Sequence, residues 1–418
     1  MASLARKNLL EDIPRFLIAQ AGIVFAVTLV TVQIGIFRGF LKSTALVPEE
    51  SAADIWVSSA EMVYFELTPS LPVELLFLAR EVEGVDLAEP LLLPPGQWKG
   101  PGGTIAPLRV IGFDPGGELF SPWNLSQGSL AELQTPYHII VDESQLDALN
   151  LQGLGGQGTI NSLPATVVGI TEGTQSIASS VFVFTSLETA NTYATTGIGT
   201  SVNCQVDGEG NIRCDNRYQR DLSALSESVE PPPTPSPLRR SDVLTHILIR
   251  AEAGTDLQEL KQRLNEGLPG TQAFTRQELA QRTRNYWQSR TGIGFVLGFG
   301  AGLGVVVGIA IVGQILYSSV SDRLKEFGTL KAMGASDWVL YRVIIEQALW
   351  MAVLGYLPGM ALCLGLSHWV RTGMGIIILI TPASAAGIFL LTTVMCVGSG
   401  FFAIQKVTRV DPAIVFKA

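Results

Sequence analysis

Charge is scarce in this 418-residue chain: 16% of its residues are Asp, Glu, Lys or Arg, against about 25% in ordinary soluble domains. With 47% hydrophobic residues and a mean hydropathy of +0.34, that scarcity excludes a disordered chain and argues against a soluble cytosolic enzyme. Basic clusters are missing, which removes the electrostatic footprint of a nucleic-acid binder. The three histidines, His138, His246 and His368, are isolated and lack metal-ligand spacing. There is no Gly-Lys dipeptide, hence no P-loop, and no Gly-x-Ser-x-Gly elbow. Gly153-x-Gly155-x-x-Gly158 follows a helix-like stretch and precedes strand-like Thr159–Thr171. Phosphate cradling needs the reverse order, so these glycines read as a turn. No catalytic residue, no metal and no enzyme activity are expected.

The charge that is present is unevenly placed. Ser43–Arg290 holds 30 acidic and 15 basic residues, and the remainder holds 7 acidic and 13 basic. An acidic block is thus inserted into a basic, apolar frame, as in a membrane protein with one large translocated domain. Phe16–Phe37, Gly292–Tyr317 and Pro382–Ile404 carry no charge, and Val343–Leu366 carries only Glu346. Each is long enough to span a bilayer. The first run is too long for the apolar core of a cleaved leader and reads as a retained helix. Arg6, Lys7 and Arg15 precede the first span, Arg323, Lys325 and Lys331 lie between the second and third, and Lys406, Arg409 and Lys417 follow the fourth. Positive residues mark the cytoplasmic side, so both termini are expected there.

The expected fold class is an α-helical membrane protein with four transmembrane helices and a large extracytoplasmic α+β domain. The layout is an N-terminal helix with the first span (1–42), the outside domain (43–290), a second span (291–317), a cytoplasmic loop (318–338), spans at 339–367 and 382–404, and a tail (405–418). Within the outside domain, Asp54–Phe65, Val85–Leu93 and Val243–Arg250 read as strands and Leu71–Glu83 as a helix. Thr255-x-x-Gln258 and Thr275-x-x-Glu278 read as capping boxes. Two βαβ-like pieces, one at each end, suggest one lobe assembled from both ends, with a β-rich lobe between. Residues 196–241, with the run Pro231–Pro237, read as a flexible insertion. Cys204 and Cys214 bracket a hairpin-like sequence there; an oxidising compartment favours pairing, though spacing alone leaves two free thiols equally open.

Two features of the apolar frame point to function. Gly300, Gly304 and Gly308 repeat every four residues, a close-packing face that serves either a homodimer axis or one chain's own bundle. In the loop, Val320, Leu324, Phe327 and Leu330 form an apolar stripe at helical spacing, rimmed by Arg323, Glu326 and Lys331, and Gly334 reads as a helix stop. This is an amphipathic helix, either interfacial or docking a cytosolic protein.

The stretch Val320-x-x-Arg323-x-x-Glu326-Phe327-Gly328-x-Leu330-Lys331-Ala332-Met333-Gly334-Ala335 resembles the signature of MacB/FtsX-type ABC transporter permeases. Asn285-Tyr286-Trp287-Gln288-Ser289, Gln314-Ile315-Leu316-Tyr317 and the tail Val410-Asp411-Pro412-Ala413 are most similar to DevC, the cyanobacterial exporter permease. The resemblance implies that Val320, Arg323, Leu324, Glu326, Phe327, Gly328, Leu330, Lys331, Met333 and Gly334 form a coupling helix seated on a separate ABC ATPase subunit, which holds ATP and Mg; no cofactor is implied on this chain. It further implies a homodimer in the inner membrane, amid membrane lipid, with a periplasmic membrane-fusion adaptor and a TolC-type outer-membrane channel. The expected function is efflux of a lipid, glycolipid or other amphiphile by movement of the outside domain. The alternatives are an FtsX-like regulator of a periplasmic enzyme and a receptor or anchor without an ATPase.

Overall fold

A computed structural model describes residues 13–196, 201–206, 212–217, 231–290, 292–322, 336–374 and 378–408. The chain divides into two compact units, Leu41–Trp287 and a helical unit made of Met1–Phe40 with Gln288–Ala418.

Along the first unit run helix α2 (Leu46–Glu50), strands β1 (Ile55–Ser59) and β2 (Leu71–Pro72), helix α3 (Glu74–Arg80), and strands β3 (Val85–Leu91), β4 (Pro95–Lys99), β5 (Ile105–Phe113), β6 (Leu125–Gly128), β7 (His138–Asp142), β8 (Gln157–Ile160), β9 (Leu163–Thr171) and β10 (Val181–Ser186). Helix α4 (Leu187–Thr195) and the hairpin β11 (Ser201–Val206) and β12 (Ile212–Arg217) follow. Then come β13 (Val243–Leu244), β14 (His246–Ala251), α5 (Leu257–Gly267), β15 (Thr271–Thr275) and α6 (Arg276–Arg290).

The two ends of this unit form one antiparallel sheet in the order β15-β1-β14-β3. Its connectivity, β1-α3-β3 followed by β14-α5-β15, is a ferredoxin-like double βαβ, split by everything between β3 and β14. Alternation explains why both faces are buried. Ile55, Val57, Ile247, Ile249 and Ala273 join α3 and α5 through Leu76, Ala79, Leu260 and Leu264. Trp56, Leu248 and Phe274 point the other way, onto Met62, Phe65 and Leu279. The inserted strands form a second sheet in the order β6-β9-β7-β10-β5-β4-β8. Strand β8 also pairs with β9, so that sheet closes on itself and leaves few free edges. Trp98, fully buried, fills its interior and donates from Nε1 to the Leu149 carbonyl.

Several local expectations change. The strand expected over 54–65 ends at Ser59, because residues 60–67 fold into a tight turn in which Leu67 N donates to Tyr64 O and Val63 N to Leu67 O. The helix expected from Leu71 starts at Glu74, since Leu71 and Pro72 instead pair with Leu244 and Val243. Thr159–Thr171 is two strands, turned at Asn161 and Ser162, whose φ values of 50° and 73° give the twist of a two-residue hairpin. Helix α5 is capped by Asp256, which accepts from Gln258 N at 2.7 Å, in place of Thr255. The second capping box does form: Thr275 N donates to Glu278 Oε2 and Glu278 N to Thr275 Oγ1.

Strand β15 lies at a sheet edge, yet its outward N–H groups are occupied. Thr271 N donates to Leu268 O, Ala273 N to Asn265 Oδ1 and Thr275 N to Glu278 Oε2.

The helical unit contains α1 (Ile13–Ser43), α7 (Ile293–Asp322), α8 (Asp337–Met374) and α9 (Pro382–Thr408). All four contain a stretch long and apolar enough to cross a membrane. Helix α7 continues to Asp322, so residues 318–322 of the expected loop are helical, beyond the apolar stretch that ends at Ile315. Helix α8 runs through Pro358, which removes one backbone donor. Membrane helices tolerate that where neighbours cover the break.

Glycines set the packing of α1. A β-carbon on Gly300 would meet Gln33 at 2.7 Å, one on Gly304 would meet Leu29 and Val30 at 3.2 Å, and one on Gly308 would meet Met395 Sδ at 2.5 Å and Ala26 at 2.9 Å. The small face of α7 at these three glycines is therefore packed against α1 and α9 of the same chain. The pairing order makes α1 and α7 antiparallel. Gly359 approaches Val27, and Cys363 Sγ donates to Thr28 O, so α8 runs parallel to α1.

Candidate functional site

The chain connects to the helical unit through the segment after α1 and through helix α6; the two are tied to each other, and α6 grips the turn at residues 60–67. Helix α6 grips the turn by one face. Arg282 donates from Nε to Val63 O at 3.2 Å and from Nη2 to Met62 O at 2.5 Å, while its guanidinium lies 5.3 Å from the Phe274 ring centre. Thr283 Oγ1 accepts from Phe65 N at 3.4 Å. Tyr286 stacks on Tyr64 with centroids 4.3 Å apart, and Trp287 meets the same ring edge-on. The other connecting segment, just after α1, is tied to α6 by the Glu49–Arg284 ion pair and by Arg276 donating to Ser51 O.

The turn is anchored inward on the four-stranded sheet. Phe65 is buried edge-on against Trp56 and stacks on the His246 imidazole at 5.2 Å. His246 is fully buried. Its Nε2 lies 3.0 Å from the Phe65 carbonyl, which can only accept, so Nε2 carries the proton and Nδ1 accepts from Ser58 Oγ at 2.7 Å. Burial holds this imidazole neutral and lowers its pKa to about 4, against the opposing pull of the Phe65 carbonyl.

On the other side, Glu66 links the turn to the closed sheet. Ser179 Oγ donates to its Oε2 at 2.6 Å, and Arg109 Nε on β5 stands 3.5 Å from the same oxygen. The Glu66 side chain is 7% exposed. Burial raises its pKa, and the Ser179 hydroxyl and the Arg109 charge offset that only in part. Ionisation therefore costs stability: the contribution is full below the ordinary carboxylate pKa and fades as pH rises through the raised one. Glu66→Gln is accordingly expected to slow hydrogen exchange of residues 60–67 at neutral pH and leave it little changed in mild acid. Equal exchange rates at neutral pH would refute this account of Glu66.

Among the described residues this joint holds no group of three or more His, Cys, Asp or Glu side chains that could bind a metal ion. Its chemistry is that of a clamp, in which α6 holds the turn and Glu66 ties the turn to the closed sheet. Beside it, α5, β15 and α6 border an open groove of about 450 Å³ lined by Lys261, Phe274, Glu278 and Arg282.

Of the residues singled out from sequence, Gly300, Gly304 and Gly308 are placed as above. Val320 lies in the last turns of α7, with its side chain outside the described ones. Arg323, Leu324, Glu326, Phe327, Gly328, Leu330, Lys331, Met333 and Gly334 lie outside the described residues. Cys204 and Cys214 are register partners across β11 and β12. Sequence reasoning missed the joint. His246 stands out in the sequence only as an isolated histidine, and its partners Ser58 and Phe65 are more than 180 positions away.

Two family models match the chain: the MacB-like periplasmic core domain over residues 16–266 and the FtsX-like permease C-terminal domain over residues 298–412. The pyoverdine export ATP-binding/permease protein PvdT of Pseudomonas savastanoi pv. phaseolicola is 28% identical over 37% of this chain and 23% of its own length. The ABC transporter permease YtrF of Bacillus subtilis is 22% identical over 43% of this chain and 38% of its own. The chain thus matches less than two fifths of the length of either curated relative. Among solved structures, the periplasmic region of MacB from Actinobacillus actinomycetemcomitans covers 56% of this chain and 93% of its own, at 12% identity and a TM-score of 0.33. With one model matching 16–266 and a second 298–412, the chain belongs to the MacB/FtsX-type permeases of ABC transporters.

Proposed function

We propose that this permease is the membrane subunit of a tripartite exporter of DevC type. A partner ABC ATPase hydrolyses ATP, the helices shift, and the extracytoplasmic domain moves to drive efflux of a lipid, glycolipid or other amphiphile. The chain acts as a homodimer in the inner membrane with both termini cytoplasmic, and engages a membrane-fusion adaptor and through it a TolC-type channel. The observation that carries this reading is the joint: one turn, clamped by the helix that continues toward the second span, ties together both lobes of the domain. The spans are poor in ionisable residues, as suits transmission of motion better than conduction.

The coupling segment 320–335 gives the test. Phe327→Asp, or charge reversal at Arg323 together with Glu326, is expected to abolish transport and stimulation of the partner's ATPase while membrane insertion stays normal. Normal coupled hydrolysis in these variants would reject the coupling role. Purification from membranes tests the assembly: an adaptor and an outer-membrane channel should accompany the chain. A cell-wall hydrolase in their place would convert the reading to FtsX-like regulation.

A further inference from the structure

We infer that the turn Val63–Leu67, with Tyr286 and Trp287 of α6, is a membrane-surface contact that seats the joint in the polar–apolar interface of the extracytoplasmic leaflet. The turn presents Val63 at 42% and Leu67 at 51% exposure, next to one another at its tip. Backbone pairing of Tyr64 with Leu67 fixes the turn. Beside it stand three amphipathic rings, Tyr64, Tyr286 and Trp287, packed on one another. Tyr and Trp with an aliphatic neighbour are the side chains that concentrate where hydrocarbon gives way to headgroups. Arg290 on the same helix supplies a cation for lipid phosphates.

Connectivity commits the patch to a lipid surface. Helix α7, the start of a span, begins at Ile293, six residues after Trp287. Six residues reach at most about 20 Å even when fully extended. The headgroup zone on each side of the hydrocarbon is itself about 5–8 Å deep. An apolar, aromatic patch held that close to the membrane meets lipid before it meets a soluble partner. The same patch is the part of the turn that Arg282 and Thr283 hold. The bilayer surface thereby becomes the fulcrum for the clamp.

The test uses the full chain in bilayers of phosphatidylethanolamine and phosphatidylglycerol. Cys204 and Cys214 are replaced by Ser, and the fully buried Cys363 and Cys396 are kept. A nitroxide is placed through Leu67→Cys and, as a reference, through Phe77→Cys on α3, which is 49% exposed. Both positions are open, so neither label displaces packing. The expected result is a reversal: oxygen relaxes the label at 67 more than a water-soluble nickel chelate does, and the chelate wins at 77. Equal behaviour at the two positions would overturn the inference. So would a label at 67 shielded from both agents, which would mean a protein cover.

Discussion

Gly308→Leu is expected to leave the chain inserted but to loosen the helical bundle, lowering its thermal midpoint in detergent. A β-carbon there would lie 2.5 Å from Met395 Sδ and 2.9 Å from Ala26 Cβ. Two helices would have to retreat together, and overpacking of this kind costs about 1–3 kcal/mol or more. The neighbouring glycines should fall in order. Gly304→Ala meets Leu29 and Val30 at 3.2 Å and needs a shift of a few tenths of an ångström. Gly300→Ala meets the end of the Gln33 side chain, whose Oε1 has no hydrogen-bond partner among the described residues, so rotation relieves it. Unfolding monitored by intrinsic fluorescence should rank Gly308 above Gly304 above Gly300. A change of oligomeric state at unaltered subunit stability would show instead that the stripe is a seam between copies.

Acidification should weaken the extracytoplasmic domain between pH 6.5 and 4. His246 has a folded pKa of about 4 against an ordinary value of 6.5. The unfolded chain therefore binds a proton in this window that the folded chain refuses. Stability is full above 6.5 and falls as pH drops toward 4. With each pKa unit equivalent to 1.36 kcal/mol, the loss is about 3 kcal/mol. Glu66, next to the phenylalanine that His246 stacks on, has the opposite sign, since its raised pKa favours the folded state as pH falls. Removing it through Glu66→Gln should steepen the acid loss, and His246→Gln should flatten it. Urea titration of the full chain at pH 7, 5 and 4 measures all three. A wild-type midpoint that does not move with pH would refute the neutral, buried imidazole.

Locally encoded parts of this fold are legible in the amino-acid sequence. The capping box Thr275–Glu278 forms with both of its hydrogen bonds, and four apolar runs, three of them free of charge, suffice to mark four spans. Expectation and structure part where a tertiary partner overrides local preference. Leu71 and Pro72 look like a helix start, but Val243 and Leu244 claim them for a strand pair. Asn161 and Ser162 look like mid-strand residues, but their backbone turns left-handed. The joint is illegible for a plainer reason. It unites Ser58, Phe65, Arg109, Ser179, His246 and Arg282, and no periodicity connects positions that only the split βαβ lobe brings together. The glycine stripe is legible as a packing face, but which helix it receives depends on the bundle.

The occupied edge of β15 has a consequence for how the domain meets other proteins. With Leu268, Asn265 and Glu278 already receiving its outward N–H groups, that edge cannot template an added strand. Neighbouring copies crowded on a membrane are thus kept from zipping into extended sheets through it. Any protein approaching from this side meets side chains in place of a row of free backbone donors. Contacts made on that side are limited to side chains, which can form and break without disturbing the backbone ladder of the sheet.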